Sequence, residues 1–423
     1  MTFLNVVEVE SALMGLAGAH PDAAELIPLP FVTAEGRQSH ALRIGHGGGA
    51  SRPAVLIIGG VHAREWGGPD ICVSFAADLL DAWKDGSGLD YLGTSFSALQ
   101  IESIVGKLDV IVFPNVNPDG VHHSHNTFEM WRKNRNPASS GGDPLKIGVD
   151  VNRNYDFLWD FPVAFAPGAN PGSLASNQPG SDIYHGTAPF SEPETRNVRW
   201  LFEQFPGIGW FMDVHSTGGD ILYSWGNDDN QSSTPAMNFT NPAWNGKRGV
   251  PDDTYGEFIP PADLVTAKAA AQAVAGAIAG VQGQSYTVSQ SFRLPGFPTY
   301  PTSGASDDWS YSRHFADPTQ KKTFGYTLEF TGGWFPTWEE MQPVIMDVDA
   351  GLVRFCLVAL PPPGGPADRR GPWFYEAIWK RVFPPDLWGP YGPWDRIGRA
   401  IGEIVNPVLA PIRRVLNALF GRR

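Results

Sequence analysis

Four side chains in this 423-residue sequence have the types and spacing for hydrolytic chemistry. His62 and Glu65 stand three apart in GGVHAREWGG, residues 59–68. His215 stands in DVHSTGG and Glu329 in TLEF. Two histidines and one carboxylate are a common catalytic zinc set, which leaves one coordination position for water. The His62–Glu65 spacing is about one helical turn, so both side chains can face a single ion. Glu329 is then the candidate base for a water whose pKa a metal lowers from about 15.7 to about 7. Taken alone, an HxxE pair is weak. A strand end often carries polar residues only because the chain is reaching solvent.

Those residues need elements to bring them together. An apolar run at 53–59 reads as a core strand that ends just before His62. KLDVIVFPNVNPDG, 107–120, reads as a second core strand running into turn residues. IGWFMDVHSTGG, 208–219, is a third strand and KTFGYTLEFTG, 322–332, a fourth. Apolar spacing predicts helices over 6–16, 70–84, 261–280 and 339–360, the last with a start after Pro343 as one option. Strands alternating with helices imply an α/β fold, with a mixed, largely parallel sheet covered on both faces. In such sheets ligands bind outside the carboxyl ends of strands. His62, Glu65, His215 and Glu329 all fall at those ends.

Composition narrows the class. A chain of this length that is 42% hydrophobic can bury a large core, in one domain or two. With 48 glycines, 38 prolines and 15 tryptophans it suits an α/β globule with long ordered loops rather than a helical bundle. A net charge of −13 argues against a general nucleic-acid binder. Cys72 and Cys356, the only cysteines, are too few for a disulfide framework or a thiolate zinc site, and read as buried apolar thiols. The N-terminus has no basic leader pattern, and no stretch of about 18 residues reads as apolar and charge-free enough to span a bilayer. The default expectation is therefore a cytoplasmic protein, with non-classical export or peripheral membrane association as alternatives.

A boundary is expected at PPPGGPADRRGP, 361–372. From Asp368 onward ten Lys/Arg face five Asp/Glu, which leaves the rest of the chain at −18 against the total of −13. This predicts a catalytic domain over 1–362 and, over 363–423, a Pro/Gly linker with a cationic amphipathic tail. Pro407 and Pro411 would divide the tail into two short helices. Its apolar stripe suits either packing on the catalytic domain or docking on an anionic membrane surface or a partner.

The segments between the candidate ligands carry a resemblance. PNVNPDG, MWRKNR and GVDVNRNYDFLWD run from 114 to 160, followed by YPTSGASDDWSY at 300–311 and TLEF at 327–330. In this order, over roughly residues 5–360, the chain resembles the zinc carboxypeptidases of the carboxypeptidase A/B (M14, funnelin) family. The resemblance implies a central sheet of about eight strands flanked by helices, with one Zn2+ per chain held by His62, Glu65 and His215. It implies Glu329 as general base and Arg135 as the cation that polarises the scissile carbonyl, with Arg132 beside it. Asn152 and Arg153 would hold the substrate's terminal carboxylate, and Tyr300 would close over it on a mobile loop. Asp150 would orient His62, and Arg64 would serve outer substrate subsites. The chemistry agrees: a planar guanidinium recognises a free carboxylate bidentately.

The same resemblance points to specificity. Asp307, two residues before Trp309, occupies a position that is apolar in A-like enzymes and aspartate in B-like ones, which implies a preference for C-terminal Arg or Lys. Adjacent Asp308 takes that place if the loop register shifts, and an internally paired Asp307 would leave mixed specificity. Thr217 replaces a tyrosine of the digestive enzymes, which bears on an outer subsite. Partners are thus peptide or protein C-termini. Because the metal motif begins so early in the sequence, no inhibitory pro-domain is expected before it. Rival readings are a cell-wall peptide amidase or a deglutamylase on the same scaffold, or a non-catalytic binding domain. A deglutamylase would want a cation where Asp307 stands. HHSH, residues 122–125, is read as a turn without ligand spacing to a carboxylate. The loop 226–260 has scattered acids. It reads as a solvated loop, with calcium on Asp228, Asp229, Asp252 or Asp253 as the lesser alternative. No G-x-S-x-G elbow supports a serine hydrolase.

Overall fold

The run Ala54-Val55-Leu56-Ile57-Ile58 is apolar at every position because both of its faces are buried. Val55 and Ile57 join one hydrophobic core, and Leu56 and Ile58 the other. The computed structural model describes residues 2–47 and 52–361. The expected linker and tail, 363–423, lie outside the described residues.

Eight strands form one sheet: β1 Ala24–Pro28, β2 His40–Ile44, β3 Ala54–Gly59, β4 Asp109–Phe113, β5 Ile208–Ser216, β6 Asp220–Tyr223, β7 Thr287–Gln290 and β8 Phe324–Phe330. Their spatial order is β1-β2-β4-β3-β5-β8-β6-β7. The inner pairs β4–β3, β3–β5 and β5–β8 are parallel, as is β6–β7. β1–β2, β2–β4 and β8–β6 are antiparallel. The sheet is thus mixed, and its parallel strands gather at the centre, where the candidate ligands lie.

The main helices are α1 Val6–Ala19, α2 Gly68–Asp85, α3 Ala98–Lys107, α4 Pro118–Asn126, α5 Pro193–Gln204, α6 Pro261–Gln282, α7 Ser306–Ala316 and α8 Trp338–Ala359. One core packs residues of α2, α3, α6 and α8 on one sheet face, and the other packs residues of α5 and α7 on the opposite face. Three features differ from the sequence reading. The residues NPDG do not end in a turn but open α4, with Pro118 in its first turn and Asn117 accepting from the Gly120 N–H at 2.9 Å. The HHSH segment is therefore helical. Helix α8 begins at Trp338, ahead of Pro343, because Thr337 and Glu340 form a reciprocal capping box. Finally, α6 is long and apolar enough to cross a membrane by length and composition, contrary to the expectation from the sequence. Its Ala267, Ala270, Ala271, Val274, Ile278 and Val281 lie in the core against the sheet and α8.

Candidate active site

The loops after β3 and β4 are stitched together. Backbone N–H groups of Val116 and Asn117 donate to the carbonyls of Gly59 and Gly60, and Asn117 Nδ2 donates to Val61 O at 3.1 Å. Gly60 has φ 64° and packs against Asn115, where a Cβ would stand 3.0 Å from Oδ1. The chain can therefore turn sharply off the strand and present His62 and Glu65 over the sheet edge.

The three candidate ligands meet there. His62 Nδ1 and His215 Nδ1 lie 3.0 Å apart, and the two oxygens of Glu65 sit 2.8 Å from the first and 2.9 Å from the second. Among the described residues this is the group of His, Cys, Asp or Glu donors close enough to hold one metal ion. All three side chains are buried. Two ring nitrogens facing each other beside a carboxylate are poorly matched without a shared cation, so the donor set fits zinc. Behind them, His62 Nε2 lies 3.2 Å from Asp150 Oδ1 and His215 Nε2 lies 3.0 Å from Asp213 Oδ2. Such partners fix the ring and leave Nδ1 for the ion. Burial works against the charge on Glu65 and on Asp150. For Glu65 it is outweighed by the two histidines, and for Asp150 by Arg132 and His62, so both carboxyls stay below the usual range.

Glu329 faces His215 across the β5–β8 register. It is partly exposed to the cavity. Burial pushes its carboxyl up to about 8.

A cavity of about 280 Å³ opens beside the ligands. Of the residues expected from the sequence, it is lined by His62, Arg64, Glu65, Arg132, Asn152, Arg153, Tyr300, Asp307 and Glu329. Arg135 is not among them. Its guanidinium stacks over the Trp131 ring at 4.5 Å and reaches Glu35 at 3.5 Å. Backbone register decides between the two arginines. The Ala63 N–H donates to Arg132 O, which pins residue 132 beside the ligand loop. Arg132 then gives Asp150 Oδ2 two bonds, at 3.1 and 3.0 Å, and stands 3.8 Å from Glu65. The structure thus brings Arg132 to the cavity and leaves Arg135 outside it.

One carboxylate ties this side of the cavity together. Besides His62 and Arg132, Asp150 accepts the Asn152 N–H at 3.0 Å and so caps the turn that carries Asn152 and Arg153. Arg153 is 2% exposed. Its guanidinium donates to Ser173 O and Asn152 O, and no described carboxylate pairs with it. Arg64 donates to Asp182 at 2.9 Å and lies over the Trp334 ring at 4.4 Å. Tyr300 stacks edgewise on Phe297, whose own side chain is exposed at the rim.

Asp307 is 3% exposed in the first turn of α7. Its Oδ2 accepts from Ser291 Oγ at 2.8 Å and its Oδ1 from the Asp308 N–H at 2.9 Å. No cation among the described residues pairs with it, and burial pushes its carboxyl up. Asp308 is turned away from the cavity, where both its oxygens accept the Gly226 N–H. In the 226–260 loop, Asp229 and Asp252 are engaged by Arg293, while Asp228 and Asp253 accept backbone N–H groups.

The family model described as zinc carboxypeptidase matches residues 9–348. The chain belongs to the zinc carboxypeptidases. Carboxypeptidase B of Astacus astacus is 31% identical, with 72% of this chain and 80% of that protein aligned. Zinc carboxypeptidase A 1 of Anopheles gambiae is 29% identical over 76% of this chain, and the alignment spans 58% of that protein's length. The structure of carboxypeptidase A from Helicoverpa armigera superposes with a TM-score of 0.64 at 22% identity, covering 85% of this chain and 74% of that one. The likeness to that structure establishes the fold. Family membership makes the chain a peptidase of the hydrolase class.

Sequence reasoning missed several parts of this zinc carboxypeptidase site. Asp213 was legible: it precedes His215 by two in a strand and so points to the same face. Ser306 Oγ donates to it at 2.6 Å. Ser291, Thr302, Asp182 and Trp334 come from separate loops, and no local pattern marks them.

Proposed function

We propose that this chain removes single residues from the C-termini of peptides and favours Arg or Lys as the residue released. His62, Glu65 and His215 would hold zinc, which when bound polarises the scissile carbonyl and acidifies a water. Glu329, which faces His215 and lines the cavity, would take a proton from the attacking water and return it to the leaving amine. Arg132, held by Asp150, offers a fixed cation to the developing oxyanion. Asn152 and Arg153 receive the substrate's terminal carboxylate, a role that suits a buried guanidinium with only carbonyl partners. Tyr300 closes the mouth and Arg64 contacts residues further up the peptide.

The observation that carries the specificity is the buried Asp307 carboxylate, without a cation among the described residues, in the same cavity as Arg153 and Glu329. A Lys or Arg side chain pairs with it, whereas an apolar side chain leaves it desolvated and unmatched. It also disfavours glutamate release. The catalytic unit is taken as 1–362, with 363–423 as a separate appendage.

A peptide ending in Arg, followed by mass spectrometry with and without a chelator, tests the reaction. Loss of one C-terminal residue, abolished by the chelator and restored by zinc, is expected. Glu329→Gln should bind zinc normally yet turn over roughly 10²–10⁴-fold more slowly. Internal cleavage, or a Glu329→Gln enzyme of normal rate, would refute the proposal.

A further inference from the structure

Asp150 and Asp213 brace the two histidines from behind, and one residue ties both sides into a single frame. Ser306, the first residue of α7, is fully buried and is not among the residues that line the cavity. Its Oγ donates to Asp213 Oδ2 at 2.6 Å, the same oxygen that stands 3.0 Å from His215 Nε2. Its N–H donates to Asn152 Oδ1 at 2.8 Å. An N–H in the first turn of a helix has no acceptor within that helix, so another part of the chain must satisfy it. Ala305, which precedes α7, supplies no side-chain cap. Asn152 fills that role from the turn that Asp150 caps. The start of α7 lies this close to β8 because residue Gly325 has no side chain. A Cβ there would run into Asp307 O and Ser310 Oγ.

We infer that Ser306 is a positioning residue that couples the metal cradle to the receptor of the substrate's terminal carboxylate. The inference rests on the reading that Asn152 receives that carboxylate. The two bonds act on different atoms. A serine hydroxyl has one proton, and here it goes to Asp213. It fixes the Asp213 carboxylate behind His215 and so fixes the ring that would bind zinc. The backbone N–H can only donate, so the Asn152 atom that faces it is the oxygen. The amide nitrogen is thereby left to the cavity that Asn152 lines, and it donates to no described residue. An amide turned the other way would offer an oxygen to the incoming carboxylate and repel it. Neither effect requires Ser306 to touch the substrate.

Alanine and proline at position 306 separate the two bonds. Ser306→Ala removes the hydroxyl and keeps the N–H. Ser306→Pro removes both. Proline suits the first position of a helix when the residue before it is extended, as Ala305 is at ψ 150°. Zinc affinity is read by competition with a chromogenic chelator, and KM on a peptide ending in Arg with zinc saturating. Ser306→Ala should weaken zinc binding about tenfold and leave KM near the wild-type value. Ser306→Pro should bind zinc as the alanine variant does but raise KM roughly fivefold further, the effect of one hydrogen bond. Each step should vanish once its target is gone: the zinc loss in an Asp213→Ala background, and the alanine-to-proline rise in KM in an Asn152→Ala background. Unchanged zinc affinity in Ser306→Ala, or a step that survives removal of its target, overturns the inference. If Asn152→Ala raises KM while Ser306→Pro matches Ser306→Ala, the coupling is wrong and the carboxylate reading stands. An Asn152→Ala enzyme with wild-type KM overturns the carboxylate reading and the coupling together.

Discussion

The metal cradle and the side-chain cavity lie within one site and are built on opposite terms. In the cradle every ligand is braced. Asp150 stands behind His62, Asp213 behind His215, and Glu65 is held between both rings and the Ser216 N–H. In the cavity the polar groups are left with spare capacity. Among the described residues, Asp307 has no cation and Arg153 has carbonyls but no carboxylate. Bracing suits a permanent occupant whose coordination must not change. Spare capacity suits an occupant that arrives, reacts and leaves, because each unmatched group is satisfied only in the complex.

The two arginines of WRKNR fall on opposite sides of this division. Arg132 is braced into the cradle and faces the cavity, whereas Arg135 is turned to Trp131 and Glu35. Arg132→Ala should lower kcat by about 10²–10³, the usual effect of losing one oxyanion donor. Arg132→Lys should fall between, and Arg135→Ala should change kcat little. Equal losses at both positions, measured by steady-state kinetics, would show that the register argument fails. Asp213→Asn sharpens the account of bracing. It should weaken zinc affinity about 10–100-fold, as loss of a partner behind a ligating histidine does. Competition with a chromogenic chelator measures this, and wild-type affinity would mean that His215 needs no brace.

A third set of buried carboxyls is held by amide and hydroxyl donors rather than by a cation. Glu192 and Glu194 share the Asn134 amide, at 2.7 and 3.0 Å, Glu192 also accepts from Asn136 and Ser191, and Glu194 Oε1 has no partner among the described residues. Burial, helped by the neighbouring Glu192 charge, pushes Glu194 up to about 8 from its ordinary 4.5. A carboxyl raised in this way contributes stability that is complete below pH 4.5 and is lost as pH climbs through 8. Glu194→Gln should therefore flatten the fall in Tm between pH 5 and 8 by a few degrees. A variant whose Tm falls as steeply as wild type would place the titration elsewhere.

Much of this was legible in the sequence, for physical reasons that also explain the gaps. The core strands β3 and β4 were plain because both faces are buried, so every position is apolar. Their ends located His62 and Glu65, and the ends of β5 and β8 located His215 and Glu329. Strands β6 and β7 are four residues each, too short for a periodic signal. Arg132 and Arg135 look equivalent in WRKNR. Only a backbone hydrogen bond from Ala63, distant in sequence, decides which one faces the cavity. The proline in NPDG suggested a turn, yet with Asn117 capping it is equally the first turn of a helix. Trp334 and Asp182 meet Arg64 from two unrelated loops, a contact that no spacing encodes.

In the proposed reaction, Asp307 is a carboxylate kept in reserve for a basic side chain. A paired assay on hippuryl-Arg and hippuryl-Phe, with wild type and Asp307→Ile, tests it most directly. Wild type should favour the Arg substrate by at least about tenfold in kcat/KM, and Asp307→Ile should reverse the order. Wild type favouring Phe, or a variant with unchanged preference, would contradict it.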